Sequence, residues 1–305
     1  MEPIRVGIVG AGGRHVRSHL EMVTACDKTV LTAVSEVVAE RLDEVSGEFD
    51  VPGYENYRDM LDDAALDIVH VVTRPNDLTP IVLEVLSRDL HVSVEKPPGL
   101  NSAETKTMAD AEESSKGTAI VSLNRRYEPV VRSVVKLLED HGPPTSIRGV
   151  YHKHMPSLIG QTAHSLVVYD AIHHVDLTRC FGGDVTDVIP LIRRRIEGIE
   201  SSSHHESLLQ FENGATGTFS SLYGVGARVQ RMEVHGDGLS VYMDMTGDTP
   251  VQAWIEGKAA SLPHVDAKNE VEFFAECIEE GTKPLTTLQD AVKTVRLAEA
   301  ICGPS

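Results

Sequence analysis

The stretch that decides the fold is Ile4-Arg5-Val6-Gly7-Ile8-Val9-Gly10-Ala11-Gly12-Gly13-Arg14-His15. Its first six residues are an apolar run of β type, and a glycine-rich turn follows at once. The next segment, residues 16–26, is compatible with a helix. A glycine-rich turn between a strand and a helix lets the backbone approach a pyrophosphate, whose negative charge is favoured by the N–H groups and dipole of the helix N-terminus. The stretch therefore predicts a nucleotide-binding turn formed by Gly10, Gly12 and Gly13.

A second strand-like run ends at Glu36, about twenty residues beyond this turn, where the dinucleotide fingerprint has a carboxylate that binds the ribose hydroxyls. A carboxylate would repel the 2′-phosphate of NADP, so Glu36 favours NAD as the cofactor. The fingerprint is incomplete, because His15 stands where a third glycine or an alanine is expected. Arg14 has two open interpretations, a phosphate contact and a side chain that points into solvent.

Length and composition suit an enzyme of two domains. The chain has 305 residues, of which 41% are hydrophobic, and can bury a large core. Its 28 basic and 46 acidic residues give a formal net charge of −18, which argues against nucleic acid and anionic membranes as partners. No apolar run approaches the length of a membrane span. Four scattered cysteines predict neither a disulfide framework nor a zinc site and favour the cytoplasm: Cys26, Cys180, Cys277 and Cys302.

The pattern of the chain changes near residue 124. Residues 1–123 alternate strand-like and helix-like stretches, including a helix predicted over 80–88, which indicates a doubly wound parallel sheet. Most of residues 145–265 has the pattern of strands and turns, and Asn213-Gly214 is a hairpin signal. We therefore expect an α/β protein with a Rossmann dinucleotide-binding domain in residues 1–123 and a second domain in residues 124–305, whose last helix packs back on the first domain.

Lys96 is the most informative single residue. It follows the strand-like run of residues 90–94, within Glu95-Lys96-Pro97, and the prolines after it end the strand. In open α/β sheets, ligands bind at the carboxyl ends of the strands. A lysine held there loses part of its hydration, which suits proton transfer. A surface lysine after a strand is the alternative interpretation.

The second half contains one constellation of polar residues, on a helix predicted near residues 169–181. Asp170, His173 and Asp176 recur at three-residue spacing, and His174 lies one helical turn after Asp170. A carboxylate within a turn of an imidazole can fix its tautomer and raise its basicity, as a proton-transferring histidine requires. A capped helix with a half-buried histidine pair is the alternative. Other histidines nearby match no recurrent metal motif, so we expect no metal site: His152, His154 and His164.

Together these motifs resemble the Gfo/Idh/MocA family of NAD(P)-dependent oxidoreductases, the relatives of glucose-fructose oxidoreductase and inositol dehydrogenase. The resemblance covers essentially the whole chain and rests on the order and spacing of short motifs. It implies a Rossmann domain followed by a substrate-binding α/β domain with a large open, mostly antiparallel sheet, which commonly forms the interface of a homodimer or homotetramer. The motifs are residues 7–13, Thr73-Arg74-Pro75-Asn76, Val94-Glu95-Lys96-Pro97-Pro98, Asn124-Arg125-Arg126-Tyr127, His173-x-x-Asp176, Phe211-Glu212-Asn213-Gly214 and Gly236-Asp237-Gly238.

The resemblance also implies site residues. Lys96 would transfer a proton and hold the substrate hydroxyl, and Asp170 and His173 would complete the catalytic set. The spacing in inositol dehydrogenase-like members would instead pair Asp170 with His174, which is the runner-up. Thr79 stands where the family often has histidine, and no role is carried over to it. The expected cofactor contacts are Gly10, Gly12, Gly13, Arg14, Glu36, Thr73, Pro75, Asn76, Glu95 and Lys96.

The expected reaction is hydride transfer between NAD and a secondary alcohol of a sugar, cyclitol or related polyol. Two alternatives stay open. A redox-assisted lyase or glycosidase would use NAD transiently, and a non-catalytic sensor would bind a dinucleotide or sugar and report to a protein partner. The presence of both Lys96 and His173 weighs against a sensor, which needs no proton relay.

Overall fold

The computed structural model describes residues 2–13, 16–155, 165–193, 203–247, 251–266 and 268–303. The chain divides into two compact units. One contains Met1–Asn124 and Lys268–Val292, and the other contains Arg125–Ala267 and Lys293–Ser305.

A parallel sheet of six strands forms the centre of the first unit. The strands are β1 (Ile4–Val9), β2 (Thr29–Ser35), β3 (Gly53–Tyr54), β4 (Ile68–Val71), β5 (His91–Val94) and β6 (Ala119–Val121). Their order in the sheet is β3-β2-β1-β4-β5-β6. The strands that follow β1 in the sequence are first added on one side of it, as β2 and β3, and then on the other, as β4 to β6, so the order switches between β1 and β4. Such a switch point is where doubly wound sheets bind ligands. The predicted Rossmann sheet is confirmed.

Helices alternate with these strands and recur in the second unit. They are α1 (Val16–Ala25), α2 (Ala39–Phe49), α3 (Tyr57–Asp63), α4 (Pro75–Ser87), α5 (Ser102–Glu113), α6 (Pro129–His141), α7 (Ile172–Gly182), α8 (Glu270–Glu280) and α9 (Leu288–Cys302). A 3-10 turn spans Asn124–Tyr127, and a π-helical turn, Val167–Ala171, precedes α7. Among the described residues, none of the helices combines the length and apolar character that crossing a membrane requires.

One helix begins earlier than the sequence predicts. Apolar spacing indicated a helix over residues 80–88, whereas α4 begins at Pro75. Proline suits the first helical position, where its missing N–H is not needed. The N–H of Asp77 donates to the carbonyl of Arg74 at 2.9 Å and closes the first turn. The cofactor candidates Pro75 and Asn76 therefore lie in the first turn of α4, next to the carboxyl end of β4.

The second unit is built on a sheet of eight strands. The strands are β7 (Ser146–Lys153), β8 (Val185–Arg193), β9 (His204–Phe211), β10 (Thr216–Tyr223), β11 (Val229–Gly236), β12 (Leu239–Asp244), β13 (Gln252–Ile255) and β14 (Lys258–Ala260). Their order is β14-β13-β12-β11-β7-β10-β9-β8, and every pair is antiparallel except β7 with β10. This confirms the predicted mostly antiparallel sheet.

Helix α7 covers one face of this second sheet. A Cβ on Gly149 of β7 would lie 2.8 Å from Oγ1 of Thr178 on α7, so the helix and the strand approach closely. Buried and exposed residues alternate along the strands, as on β9, where Leu209 is buried and Leu208 is 56% exposed. The opposite face therefore carries exposed apolar side chains.

Candidate active site

The turn between β1 and α1 lies at the switch point of the first sheet. Gly10 has a φ of +85°, and a Cβ there would lie 2.6 Å from the carbonyl oxygen of Val72. A Cβ on Gly12 would lie 2.9 Å from Cγ of Glu36. Both positions therefore require glycine. Gly13 donates its N–H to the carbonyl of Gly10 at 3.2 Å and completes the turn. Arg14 and His15 lie outside the described residues.

Glu36 is buried directly after β2 and holds two backbone N–H groups. Its Oε2 accepts from Gly12 at 2.9 Å, and its Oε1 accepts from Val38 at 3.1 Å. The aliphatic stem of Arg41 also lies beside Gly12, because a Cβ on Gly12 would be 2.7 Å from Cβ of Arg41. A carboxylate fixed at this position is suited to accept hydrogen bonds from ribose hydroxyls.

Thr73 provides an unsatisfied group at the same switch point. Its Oγ1 is buried and has no hydrogen-bond partner in the described part of the chain. Its Cγ2 would be 3.1 Å from a Cβ placed on Gly10. Buried polar atoms are normally hydrogen-bonded, so this hydroxyl is available to a ligand at the turn. With Gly12 and Glu36, it fits the binding of a dinucleotide.

Glu95 and Lys96 lie at the carboxyl end of β5. The N–H of Glu95 continues the sheet by donating to the carbonyl of Val71 at 3.1 Å. Lys96 is half-buried and is joined to Pro97 by a cis peptide bond. The side chain of Glu95 is 15% exposed, and its Oε2 is 3.0 Å from Nε2 of His19 on α1. The sequence predicts that Glu95 contacts the cofactor. The contact that the structure describes for its carboxylate is the one with His19 of α1.

Asp170 lies in the π-helical turn before α7 and is held by three donors of the second unit. Its Oδ1 accepts from Nζ of Lys153 at 2.7 Å. Its Oδ2 accepts from the hydroxyls of Tyr151 at 3.1 Å and Tyr223 at 3.2 Å. Burial, and next the charge of Asp170, raise the pKa of both tyrosines, so they remain protonated donors. A π-helical turn of this kind is frequent at functional sites.

Sequence reasoning missed these three partners of Asp170. They come from β7 and β10, and Tyr223 is paired with Lys153 in the parallel register of these strands. The available signal was the presence of polar residues at the carboxyl ends of two strand-like runs. The pairing of the runs could not be deduced from their spacing, because a parallel pair needs a long crossover connection.

The two histidines of α7 differ in accessibility. His174 is fully buried, with its ring centroid 5.0 Å from that of Tyr151. Burial, followed by the charges of Arg125 and Arg228, lowers the pKa of His174 to about 3. It is therefore a neutral core residue that is unsuited to exchange a proton with a substrate. His173 is half-buried and is the better candidate of the pair.

Asp176 has a structural role. Its two carboxylate oxygens accept from Nε and Nη2 of Arg126 at 2.7 and 2.6 Å, and Oδ1 also accepts from the hydroxyl of Thr294 at 2.9 Å. Arg125 forms a salt bridge with Glu128 at 3.0 Å. The described residues contain no group of three or more His, Cys, Asp or Glu side chains that could hold a metal ion. His164 lies outside them.

Family models match both halves of the chain. One, described as the oxidoreductase family with an NAD-binding Rossmann fold, matches residues 4–123. Another, described as the GFO/IDH/MocA C-terminal domain, matches residues 134–242. The first unit therefore contains the NAD-binding Rossmann fold of an oxidoreductase. The chain belongs to the Gfo/Idh/MocA family, which its motifs resemble.

The individual relatives share only about a quarter of their aligned residues with this chain. Myo-inositol 2-dehydrogenase of Thermotoga maritima is 25% identical over 259 residues, which are 81% of this chain and 77% of that enzyme. D-xylose 1-dehydrogenase (NADP(+)) 2 of Haloferax volcanii is 24% identical over 97% of this chain and 95% of its own length. A structure of levoglucosan dehydrogenase in complex with NADH and L-sorbose superposes with a TM-score of 0.90 at 19% identity, over 99% of this chain and 96% of the other.

Proposed function

We propose that the protein is an NAD-dependent dehydrogenase that oxidises a secondary alcohol of a sugar, cyclitol or related polyol. The observation that carries this proposal is the position of Lys96 two residues after the end of β5, at the carboxyl edge of the same sheet on which Glu36 follows β2. The substrate class is supported by relatives that are named for myo-inositol and D-xylose and by a structural neighbour that holds L-sorbose.

The residues that would hold the cofactor all belong to the first unit. NAD supplies a two-electron hydride acceptor when it is bound. Gly12 would lie against the pyrophosphate, Glu36 would bind the ribose beside the turn, and the unsatisfied hydroxyl of Thr73 would meet the dinucleotide at the switch point. The remaining proposed contacts are Gly10, Gly13, Arg14, Pro75, Asn76, Glu95 and Lys96.

Oxidation of an alcohol to a carbonyl group also releases the hydroxyl proton. We assign its acceptance to Lys96 or His173, the two half-buried bases of the predicted catalytic set. Asp170 is proposed to orient the imidazole. Its carboxylate is itself fixed by three donors, so it keeps one geometry during the reaction.

The choice of NAD over NADP is assigned to Glu36. Two backbone N–H groups hold its carboxylate in place, where it would repel a 2′-phosphate. The relative from Haloferax volcanii is named with NADP(+), so members of the family differ in cofactor. Arg41 beside Gly12 is the cation that would bind the phosphate if Glu36 turned away.

Fluorescence titration with NADH and with NADPH tests the cofactor assignment. We expect tight binding of NADH and roughly fivefold weaker binding of NADPH, because two like charges about 4 Å apart in water repel by about 1 kcal/mol. A screen of polyols and sugars with NAD⁺ then tests the reaction. Preference for NADPH would overturn the role of Glu36, and binding of neither nucleotide would favour the sensor. Product formation with no net change in NADH would identify a lyase or glycosidase.

We further propose that the protein is a homodimer or homotetramer that assembles through the open face of the second sheet. On this face, β8 and β9 present neighbouring apolar side chains to solvent, and Ile189 is paired with Leu208. Apolar surface of this kind is favourable to bury against a second copy. The exposed fractions are 61% for Ile189, 73% for Leu191 and 56% for Leu208.

A further inference from the structure

Three ionisable side chains meet at the end of β5 in the first unit, and the proposed proton transfer uses none of them. His19 of α1 lies between two carboxylates. Its Nε2 is 3.0 Å from Oε2 of Glu95, and its Nδ1 is 3.9 Å from Oε1 of Glu270. The side chains of His19 and Glu270 are only 5% and 4% exposed. We call His19, Glu95 and Glu270 the His19 cluster.

The His19 cluster is costly to bury. Glu270 is the first residue of α8, and its Oε1 accepts from the hydroxyl of Ser122 at 3.3 Å. Its Oε2 has no hydrogen-bond partner among the described residues, and the same is true of Nδ1 of His19. Each unsatisfied buried polar atom opposes folding. Stability therefore does not explain why these side chains are buried together. Glu95 is the residue directly before Lys96 in the sequence, so the cluster adjoins the segment that contains the proposed catalytic lysine.

The charges in the cluster depend on one another. Burial opposes a positive imidazole, but the hydrogen bond to Glu95 and the charges of Glu270 and Glu95 outweigh it and raise the pKa of His19. Burial raises the pKa of Glu270 to about 7, the charge of His19 lowers it, and the charge of Glu95 raises it. Glu270 thus gains and loses its proton near neutral pH, beside a histidine whose positive charge the carboxylates favour.

We propose that His19 and Glu270 are positioning residues that fix the Glu95-Lys96 segment through the carboxylate of Glu95. The inference rests on the proposed function, because it gives Lys96 a task that requires accurate placement. Successive side chains of an extended segment point to opposite sides. A Glu95 that is tied inward to α1 therefore directs Lys96 the other way. A displacement of about 1 Å at a reacting group can lower the rate about 100-fold.

Titration of Glu270 makes this positioning depend on pH. When Glu270 is ionised, two carboxylates hold the charged His19 between them. When Glu270 is protonated, Glu95 alone holds it. His70 of β4 faces His19 with ring centroids 5.7 Å apart, but burial and then the charge of His19 lower the pKa of His70 to about 3, so it stays neutral. The Ser122 hydroxyl, which donates to Oε1 of Glu270, carries no charge in this range of pH. Turnover should therefore rise as the pH increases through 7.

The kinetic test compares Glu270→Gln with Glu276→Gln. Both replace a glutamate of α8, but Glu276 pairs at the surface with Lys28 and Lys268. We expect Glu270→Gln to lower kcat about tenfold at pH 8 and little at pH 6, with the Kd for NADH within about twofold of the wild-type value. Glu276→Gln should match the wild type at both pH values.

Variants of His19 separate positioning from a general loss of structure. His19→Ala should lower kcat at both pH 6 and pH 8, because Glu95 loses its donor. His19→Gln keeps an N–H donor for Glu95 and should recover part of the lost turnover. Equal losses in the two variants would contradict a role that acts through the hydrogen bond to Glu95.

A second readout needs neither cofactor nor substrate. Between about pH 4.5 and 7, folded Glu270 keeps a proton that the unfolded chain releases, so its burial costs more stability as the pH rises. Glu270→Gln removes this effect. Its Tm relative to the wild type should therefore increase between pH 5.5 and 8, by an amount on the order of 3 °C. Glu276→Gln should show no such change in this range.

The outcomes distinguish this inference from the proposed function. In one outcome, the wild type binds NADH and oxidises a polyol, but Glu270→Gln loses no turnover or loses it equally at pH 6 and pH 8. The positioning role is then wrong, and the proposed function stands. If the wild type neither binds NADH nor oxidises a polyol, the proposed function fails and the task given to Lys96 fails with it. A Tm difference that stays constant with pH would overturn the titration of Glu270 in either case.

Discussion

Lys96 differs from other lysines of the first unit in its surroundings. Lys106 and Lys116 are exposed, and each binds a carboxylate of the surface, Asp110 and Asp89 respectively. Such exposed ion pairs contribute little to stability. Lys96 is instead half-buried at the carboxyl edge of the sheet, beside a glutamate that is tied inward. Truncation of the two kinds of lysine should therefore have different consequences.

We expect Lys96→Ala to lower kcat about 100-fold to 10,000-fold, the usual effect of losing a positioned proton-transfer group. The Kd for NADH should change much less, because most of the proposed cofactor contacts lie elsewhere. Steady-state kinetics and fluorescence titration measure the two quantities. Lys106→Ala is the matched control and should leave both unchanged. Near-normal turnover of Lys96→Ala would remove Lys96 from the proposed catalytic set.

The candidate site residues at strand ends could be predicted from the sequence, whereas the side chains that contact them in the fold could not. Glu36 and Lys96 each end or follow an apolar run, which is a local pattern. The His-x-x-Asp signature favours His173 over His174, but the sequence does not predict the π-helical turn before α7, which changes the helical period on which the spacing from Asp170 is counted. The His19 cluster joins residues from three distant segments, which no local pattern connects.

At the scale of elements, the hairpin between β9 and β10 followed its local signal. Gly214 has a φ of +86°, and its N–H donates to the carbonyl of Phe211 at 3.0 Å. Oδ1 of Asn213 accepts from the N–H of Ala215 at 2.9 Å. These contacts involve residues adjacent in sequence, so the Asn-Gly pair was sufficient to predict the turn. The spacing of apolar residues does not mark the start of α4, because the helix begins at Pro75 and Pro80 lies inside it.

Two glycine substitutions should affect stability in opposite directions. Gly214→Ala should lower the free energy of unfolding by about 1 kcal/mol, because a positive φ is unfavourable for alanine. A Cβ there would meet no atom within 4 Å, so the effect comes from the backbone alone. Gly47→Ala lies within α2, also in open space, and should raise the free energy of unfolding by roughly 0.5–1 kcal/mol. Chemical denaturation measures both, and changes of the same sign would contradict this account.

At the scale of the whole molecule, the sequence predicted the class of each sheet but not the order of its strands. The parallel pairing of β7 with β10 places two antiparallel hairpin regions side by side in the second sheet. This pairing joins segments about 70 residues apart, and such long-range contacts are not encoded in local periodicity. It also extends the sheet to β8 and β9, whose exposed apolar residues form the proposed interface.

The proposed assembly can be tested with a pair of opposite charges on that interface. Ile189→Lys combined with Leu208→Glu places the two charges directly opposite each other on β8 and β9, where they attract one another within a protomer. In an assembly the same charges would be buried against the partner, which is strongly unfavourable. We expect sedimentation to show a dimer or tetramer for the wild type and a monomer for the double variant.

Val30→Glu is the control for this experiment, because it places a charge on an exposed apolar residue of β2 in the first unit. It should leave the oligomeric state unchanged. The double variant should still bind NADH, since the proposed cofactor contacts belong to the first unit. A double variant that keeps the wild-type mass would show that this part of the sheet face is not an interface. A wild-type monomer would overturn the assembly itself, and the exposed leucines would then need a partner other than a second copy of this chain.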